Sequence, residues 1–354
     1  MNNRKSDVNV GTDKRIINAK NMFQKTLIIG LGLIGGSFAK ALKKNNLSKE
    51  IFACDTDLET IDYAKNSEII KDGFTNLSFF SEDLFSFDFI VVAAPISAYD
   101  EIFFELKNVR ALVIDLGSVK ELDVENLPKN FIPCHPVAGS ENTGFENADA
   151  DLFSGKKFIL CKESLEVVEI AKKIGAIPDF LEAKKHDEIY ALVSHLPQFL
   201  SFLTAEFSPK KITEEFFQKA FRLDNSDPEL WSEIFAMNEK NLEKFYEKFF
   251  ENLEKICNGN TLEMCGDLDS STPLQQTQGE QKFFEENFST IFFRSLVVKS
   301  FLEIPEIKTF QSYAGMGFKD FTSIISVLSY NAKKLETLFE ENRKKILKFF
   351  DSLQ

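Results

Sequence analysis

Three histidines and a centrally placed arginine are the side chains of this sequence most able to do chemistry. The histidines are His135, His186 and His195, and Arg222 is the only arginine between residues 111 and 293. A neutral imidazole can accept a proton near pH 7, because its ordinary pKa is about 6.5. A guanidinium can hold a carboxylate through two parallel hydrogen bonds. These residue types could therefore bind an acidic molecule and remove a proton from it.

A glycine-rich turn near the beginning of the chain supplies a second chemical signal. An apolar run, residues 25–30, leads into the sequence GLGLIGG and then into a helical pattern, FAKALKKNN. In such a turn Gly30 permits the tight bend, Gly32 lets backbone N–H groups approach a pyrophosphate, and Gly35 allows the helix to pack closely on the strand. The pattern is typical of a dinucleotide-binding site.

The acid that follows this turn indicates which dinucleotide binds. The next apolar run ends in Asp55, 20 residues beyond Gly35, where a carboxylate can accept hydrogen bonds from the adenosine ribose. Thr56 follows it and no nearby arginine could hold a 2′-phosphate, so the sequence predicts NAD rather than NADP. The predicted cofactor-binding residues are Gly30, Gly32, Leu33, Ile34, Gly35, Asp55, Ala94 and Pro95.

The elements that must position these residues alternate between strands and helices in the first half of the chain. The segments FDFIVVAAP and ALVIDLGS are typical of buried parallel strands that end beside a ligand. KFILC and AIPDFL are predicted as later strands of the same sheet. Residues 25–180 are therefore predicted to form a Rossmann-like, doubly wound α/β domain. From about residue 179 apolar residues recur at spacings of three and four, which indicates an all-α region.

Composition narrows the class of protein. The net charge of −13 argues against nucleic-acid binding, because phosphate groups need a basic face. No apolar run is long enough to span a membrane. Residues 1–24 are polar and lack a hydrophobic signal core, so we expect a disordered tail, and Met22 could be the true start. Five scattered cysteines without a CxxC pair indicate reduced thiols in the cytoplasm and no metal site.

Four parts of the sequence resemble the prephenate dehydrogenase family. They are Asp115–Lys120 (DLGSVK), His135–Glu141 (HPVAGSE), the pair His186-Asp187 with Ser194–Gln198 (SHLPQ), and Arg222 with Ser226–Trp231 (SDPELW). The resemblance covers residues 25–257. It implies an NAD-dependent dehydrogenase in which a helical domain builds a dimer and the active site lies between the two domains. The implied reaction is the oxidation of prephenate, or of its relative arogenate, on the route to tyrosine.

The resemblance also implies roles for individual residues. His135 is the base or hydrogen-bond acceptor for the C4 hydroxyl of prephenate, and Ser118 bonds both to His135 and to that hydroxyl. Arg222 clamps the ring carboxylate, and Glu141 pairs with Arg222 when the site is empty. The other predicted substrate-binding residues are Ser140, Ser194, His195, Gln198 and Trp231.

Three positions carry further expectations. Gln198 stands where many relatives have a second histidine, and because an amide carries no charge, its contact with the side-chain carboxylate would be weaker. Trp231 is the only tryptophan, and it could reach a neighbouring subunit's site or simply pack at an interface. His186 is expected to be structural, as a cap of the helix that follows it.

The C-terminal part of the sequence contains an unexpected second motif. Residues 181–257 are predicted as the helical domain, and the polar stretch 258–282 as a linker. The segment Gly315–Thr322 (GMGFKDFT) resembles the family segment that normally stands just before the substrate arginine, but Ser323 takes the place of that arginine. We therefore interpret residues 283–354 as a degenerate repeat of the helical domain. The alternative is an unrelated helical tail.

A second helical copy in one chain bears on assembly. A flexible linker of this length would let the copy fold back and would raise its effective concentration next to the first helical domain. Residues 283–354 are therefore predicted to pack on the helices of residues 188–257 and to cover apolar surface there. The protein would be an intramolecular pseudo-dimer or a homodimer.

Other functions remain open at this point. The motifs do not separate prephenate from arogenate, which differ in a keto or an amino group on the side chain. A 3-hydroxyacid dehydrogenase would carry a lysine late in its helical domain and would lack the HPVAGSE and SHLP segments. A catalytically impaired NAD-binding regulator of the same fold is a further alternative, because Gln198 and the missing glycines before Arg222 depart from the family pattern.

Overall fold

The computed structural model describes residues 22–80, 83–140, 142–205, 208–212, 215–258, 288–324 and 348. The predicted polar tail as far as residue 21, nearly all of the predicted linker and most of the second half of the predicted repeat lie outside these residues, as does Glu141.

Six parallel strands form the central sheet of the first domain. They are β1 (Phe23–Ile29), β2 (Ser48–Cys54), β3 (Asp72–Phe74), β4 (Phe89–Val92), β5 (Leu112–Asp115) and β6 (Phe131–Ile132). Their order is β3-β2-β1-β4-β5-β6, and every neighbouring pair is parallel. The order reverses between β1 and β4, and sheets of this kind bind ligands beyond the carboxyl ends of the strands at such a point. The predicted doubly wound sheet is confirmed.

Helices cover both faces of this sheet, which explains why a central strand such as β4 is continuously apolar. Helices α1 (Leu33–Lys44) and α2 (Leu58–Asn66) pack on one face, and α3 (Tyr99–Leu106) packs on the other. The four residues of β4, FIVV, are all buried as a result.

A separate three-stranded sheet follows the main one. Its strands are β7 (Cys134–Pro136), β8 (Lys157–Leu160) and β9 (Ile177–Phe180), and α4 (Leu165–Lys173) joins the last two. The prediction that β8 and β9 continue the main sheet was therefore wrong. Strand β6 ends at Ile132 because Pro133 has no N–H, and Asp115 Oδ1 accepts the N–H of Cys134 at 3.0 Å in place of a strand partner. The chain turns away here, and His135 consequently lies on the small sheet, paired with β8.

The second domain is helical. It consists of α5 (Ala183–Tyr190), a π-helical turn (Ala191–His195), α6 (Leu196–Thr204), α7 (Glu215–Ala220), a 3₁₀ turn (Arg222–Asn225), α8 (Pro228–Met237) and α9 (Glu239–Asn258). The start of α8 is encoded locally, because Asp227 Oδ1 accepts the N–H of Glu229 at 2.9 Å and Pro228 supplies the first helical φ angle. These helices share one apolar core.

Three C-terminal helices complete this core. They are α10 (Phe288–Leu302), α11 (Ile307–Phe310) and α12 (Met316–Ser323). Leu296, Val297 and Phe301 of α10 are fully buried in the same cluster as Phe245 and Phe249 of α9. The predicted packing of the C-terminal segment on the helical domain is thus found for residues 294–324. That the segment descends from a repeat stays a prediction. Among the described helices, none combines the length and the apolar character needed to cross a membrane.

Candidate active site

The glycine turn between β1 and α1 is built for close backbone approach. Gly30 has a φ angle of +92°, and a Cβ atom there would lie 2.5 Å from Ala93 O. A Cβ atom on Gly35 would lie 1.9 Å from Gly30 O, whereas a Cβ atom on Gly32 would meet nothing within 4 Å. The first and third glycines are thus required by packing, and the second leaves open space where a pyrophosphate would lie.

The groups around this turn complete a dinucleotide cradle. Helix α1 begins without a side-chain cap and without an acidic residue in its first turn, so its N-terminal N–H groups and positive dipole end remain available to phosphates. Asp55 follows β2, and its Oδ2 accepts the N–H of Leu31 at 2.6 Å. This bond fixes the carboxylate beside the turn. The residues present therefore fit a bound NAD.

His135 belongs to a buried hydrogen-bonded chain. Its Nδ1 lies 2.8 Å from His186 Nε2, and His186 Nδ1 lies 2.7 Å from Asp187 Oδ1. The Asp187 carboxylate also accepts the backbone N–H groups of Lys120, at 2.8 and 3.1 Å, and Glu121, at 2.7 Å. Strand β7 carries His135 and helix α5 carries His186 and Asp187. The packing of these two elements therefore brings together residues that are far apart in sequence.

The hydrogen bonds among Asp187, His186 and His135 determine which nitrogen of His135 can act as a base. An ionised carboxylate only accepts hydrogen bonds, so His186 Nδ1 donates to Asp187 and, in the neutral ring, His186 Nε2 accepts. His135 Nδ1 must then carry the hydrogen, and its Nε2 holds the free lone pair. Burial lowers the pKa of His135 well below its ordinary value, and His186 lowers it further. His135 is therefore a neutral hydrogen-bond acceptor at pH 7.

A buried ion pair lies next to these hydrogen-bonded residues. Lys120 Nζ pairs with Asp115 Oδ2, both side chains are fully buried, and Lys120 also donates to Cys134 O at 2.6 Å. Asp115 Oδ2 accepts in addition from Tyr99 Oη at 3.0 Å and from the N–H of Gly117 at 3.1 Å. Such a pair is held in place by its satisfied hydrogen bonds, and losing one partner would leave a buried charge uncompensated. The DLGSVK segment is thus rigid.

The ring of His195 is buried and is oriented by Asn238. Asn238 Nδ2 donates to Asp187 O at 2.8 Å and lies 3.1 Å from His195 Nδ1, so the neutral ring accepts at Nδ1 and carries its hydrogen on Nε2. That Nε2 atom is buried, and it has no hydrogen-bond partner among the residues that the structure describes. Burial lowers the pKa of His195 to about 4. A buried donor without a partner costs about 1–3 kcal/mol, so a ligand atom that accepted this hydrogen bond would be stabilised there.

Arg222 lies on the 3₁₀ turn between α7 and α8. Gln198 fastens this turn to α6, because its Nε2 donates to Leu223 O at 2.7 Å and its Oε1 accepts from Ser226 Oγ at 3.2 Å. The Arg222 guanidinium donates to Asp320 Oδ2 from Nε at 2.9 Å and from NH2 at 2.8 Å. A carboxylate of the C-terminal segment therefore contacts the guanidinium predicted to bind a substrate carboxylate.

Comparisons with known proteins agree with this arrangement. Residues 38–183 match the family described as prephenate dehydrogenase, nucleotide-binding domain, and residues 182–261 match prephenate dehydrogenase, dimerization domain. The prephenate dehydrogenase of Lactococcus lactis subsp. cremoris is 32% identical over 254 residues, which are 66% of this chain and 70% of that protein. The chain belongs to the prephenate dehydrogenase family.

Other relatives in this family have related names. A cyclohexadienyl dehydrogenase of Zymomonas mobilis is 27% identical over 269 residues, which are 66% of this chain and 88% of that protein. The crystal structure of prephenate dehydrogenase from Aquifex aeolicus, in complex with hydroxyphenyl propionate and NAD+, is 32% identical and has a TM-score of 0.59. It covers 66% of this chain and 90% of its own. The predicted family, two-domain fold and NAD-dependent dehydrogenase class are confirmed.

The structure places three further predicted site residues in different surroundings. Ser118 makes no hydrogen bond to His135 within the described part of the chain, where His135 Nδ1 is taken by His186. Ser140 Oγ accepts the N–H of Asn142 at 3.1 Å in an exposed local turn. Trp231 lies beside His195 of its own chain, with ring centroids 6.1 Å apart.

The remaining predicted positions lie at the edges of the two domains. Ala94 and Pro95 follow β4 beside the glycine turn, and Ser194 lies in the π-helical turn next to His195. The neighbouring Ser97 Oγ donates to Glu233 Oε1 of α8 at 2.8 Å, which joins the helical domain to the nucleotide-binding domain at this edge. Glu141 lies outside the described residues.

Sequence reasoning within the family motifs missed four contributors to the site. His186 was expected to cap a helix, but it lies inside α5 and orients His135, with Asp187 as its partner. The adjacent pair His-Asp was visible in the sequence and could have suggested this role. Asn238 gave no such signal. Asp320 lies in Gly315–Thr322, the segment that resembles the family segment before the substrate arginine, but that resemblance does not specify a contact with Arg222.

Proposed function

We propose that this chain catalyses the NAD-dependent oxidative decarboxylation of prephenate to 4-hydroxyphenylpyruvate. The observation that carries the proposal is the buried chain Asp187–His186–His135, which leaves a neutral acceptor nitrogen on His135. An alcohol oxidation needs such an acceptor for the hydroxyl proton, whereas a protein that only binds NAD does not.

The chemistry divides between the cofactor and the side chains. Gly30–Gly35 and Asp55 would hold NAD, which when bound would supply the acceptor for the hydride that leaves C4. His135 Nε2 accepts the proton of the C4 hydroxyl. The positive charge that develops on the His135 imidazole is stabilised through His186 by Asp187. Once C4 is a carbonyl carbon, the C1–carboxylate bond breaks and CO2 leaves. The electron pair of that bond shifts through the six-membered carbon ring to the C4 oxygen, which makes this ring aromatic, and the resulting phenolate takes back the proton from His135 to give the phenol.

Two groups in the helical domain would hold the acidic ends of the substrate. Arg222 matches a carboxylate in geometry and charge, and the substrate would replace or share the bonds to Asp320. The unpaired Nε2–H of His195 would donate to the side chain of prephenate. Gln198 is then a residue that holds the arginine turn, since its amide already bonds to Leu223 and Ser226.

The assay that tests this proposal is NADH formation with prephenate and, in parallel, with arogenate, each with NAD and with NADP. We expect turnover of prephenate with NAD, because Asp55 repels a 2′-phosphate at the adenosine ribose. Turnover of arogenate alone would show that the side-chain amine is required. Absence of turnover with both substrates, in a protein that binds NAD, would favour the impaired regulator.

The orienting role of His186 makes a separate prediction. Replacing His186 by leucine removes the acceptor for His135 Nδ1–H and frees the tautomer, so we expect kcat to fall about tenfold or more, with the KM for NAD unchanged. Steady-state kinetics at saturating substrate measures this. Glutamine is the matched control, because its Oε1 can occupy a position close to that of the imidazole Nε2, and it is expected to retain most of the activity. Equal losses in both variants would contradict the role.

The assembly forms part of the same proposal. The match to a dimerization domain supports contacts between helical domains, and α10–α12 already cover part of the helical core within one chain. We therefore propose either a homodimer or an intramolecular pseudo-dimer in the cytoplasm. The mass of the protein in solution, measured by light scattering, separates the two.

A further inference from the structure

Two oppositely charged residues of the C-terminal segment pair with the 3₁₀ turn that carries Arg222. Asp320 of α12 pairs with Arg222, and Arg294 of α10 pairs with Asp224, two residues further along the same 3₁₀ turn. The turn is therefore held between an acid and a base that both come from residues 288–324. This segment lies beyond residues 182–261, which match the family's dimerization domain.

Arg294 is buried to a degree that is unusual for an arginine. The side chains of Arg294 and Asp224 are 1% and 7% exposed, and NH2 lies 2.6 Å from Asp224 Oδ1. Arg294 also donates from NH2 to Ser201 Oγ at 2.7 Å and from NH1 to Thr204 Oγ1 at 2.5 Å. Charged side chains are seldom buried unless they are paired, because removing an ion from water is unfavourable. One guanidinium thus joins helix α6 to the arginine turn.

Two aromatic rings also contact the same guanidinium. It lies 5.1 Å from the ring centroid of Phe221 and 5.6 Å from that of Phe321. Phe221 directly precedes Arg222, and Phe321 directly follows Asp320. Arg294 is therefore in contact with the immediate neighbour of each partner in the Arg222–Asp320 pair. A shift of Arg294 would move both.

We propose that Arg294 is a positioning residue for substrate binding, which acts by holding the turn 222–225 so that Arg222 faces the carboxylate of the substrate. The C-terminal segment is then a working part of the site. This inference rests on the proposed function, because it assigns Arg222 to the substrate. A guanidinium is needed at this position, since an ammonium group could not reach Asp224, Ser201 and Thr204 together.

The test compares Arg294→Gln with a matched control, Glu306→Gln. Glu306 pairs with Lys248 of α9, so the control also removes an ion pair between the C-terminal segment and the helical domain, but away from the arginine turn. For Arg294→Gln we expect the KM for prephenate to rise about tenfold or more, while the KM for NAD and the kcat at saturation change less than about threefold. The control is expected to have wild-type values.

A second measurement, hydrogen exchange of the backbone amides of residues 221–226 followed by mass spectrometry, does not depend on the substrate. Exchange in this turn should be about tenfold faster in Arg294→Gln than in the wild type, and unchanged in Glu306→Gln. Should Arg294→Gln not fold, Arg294→Lys retains the charge and is expected to show smaller changes in the same directions.

The outcomes separate this inference from the proposed function. A wild-type enzyme that does not oxidise prephenate refutes the function, and the exchange measurement still decides whether Arg294 holds the turn. An active wild type, together with an Arg294→Gln variant that is merely less heat-stable but keeps its KM and its exchange rates, refutes the inference. Equal rises in KM for both variants would also overturn it, because any loosening of the segment would then suffice.

Discussion

Replacement of His135 by asparagine is expected to lower kcat about a hundredfold or more, which is the loss typical of removing a general base. Asparagine retains a polar side chain, but it cannot take up the proton of the C4 hydroxyl. NAD affinity should be nearly unchanged, because the glycine turn and Asp55 directly follow β1 and β2, which belong to the other sheet. Steady-state kinetics with prephenate and a binding titration with NAD measure the two quantities. A variant that keeps more than half of the wild-type kcat would remove His135 from the catalytic role.

The same assignment determines the acid side of the pH profile. His135 acts in its neutral form, and burial and the neighbouring His186 lower its pKa well below the ordinary imidazole value. Activity should therefore persist as the pH falls through about 6.5 and should decline only at more acidic pH, when the folded enzyme binds a proton at His135. A kcat/KM profile that falls with a midpoint at or above the ordinary value would indicate a different base.

Replacement of Arg222 by alanine is expected to raise the KM for prephenate about tenfold to a hundredfold, since a charge-assisted contact contributes roughly 1.5–3 kcal/mol. The KM for NAD should stay the same. Lys219 provides the matched control: it lies three residues earlier, pairs with Glu215 on the surface and is 62% exposed, so Lys219→Ala should bind prephenate as the wild type does. If Lys219→Ala raised the KM and Arg222→Ala did not, the carboxylate clamp would lie at Lys219.

The parts of this protein that could be predicted from sequence are those that depend on neighbours along the chain. The glycine turn is such a case, because the steric needs of Gly30 and Gly35 and the position of Asp55 are met within one strand–turn–helix–strand unit. The start of α8 at Asp227-Pro228 is another. The family motifs added the identity of His135 and Arg222 as candidates.

Where the sequence prediction of the fold was wrong, the reason is a contact between residues distant in sequence. Strands β8 and β9 have the apolar pattern of buried strands, and that pattern does not specify which sheet they join. The polypeptide leaves the main sheet after β6 and enters the small sheet at β7, because the carboxylate of Asp115 accepts the N–H of Cys134 after Pro133. The consequence reaches the site, since this change places His135 beside α5.

Sequence by itself determined the cofactor cradle, the family and the side chains capable of catalysis. Only the tertiary structure decided how they act. His135 meets His186 across 51 residues, His195 meets Asn238 across 43, and Arg222 meets Asp320 across 98. The first contact determines the tautomer of His135, the second leaves Nε2 of His195 as a donor, and the third gives Arg222 its counter-ion. Hydrogen bonding and burial depend on what surrounds a group in space, so no local pattern around any one of these residues could specify its partner.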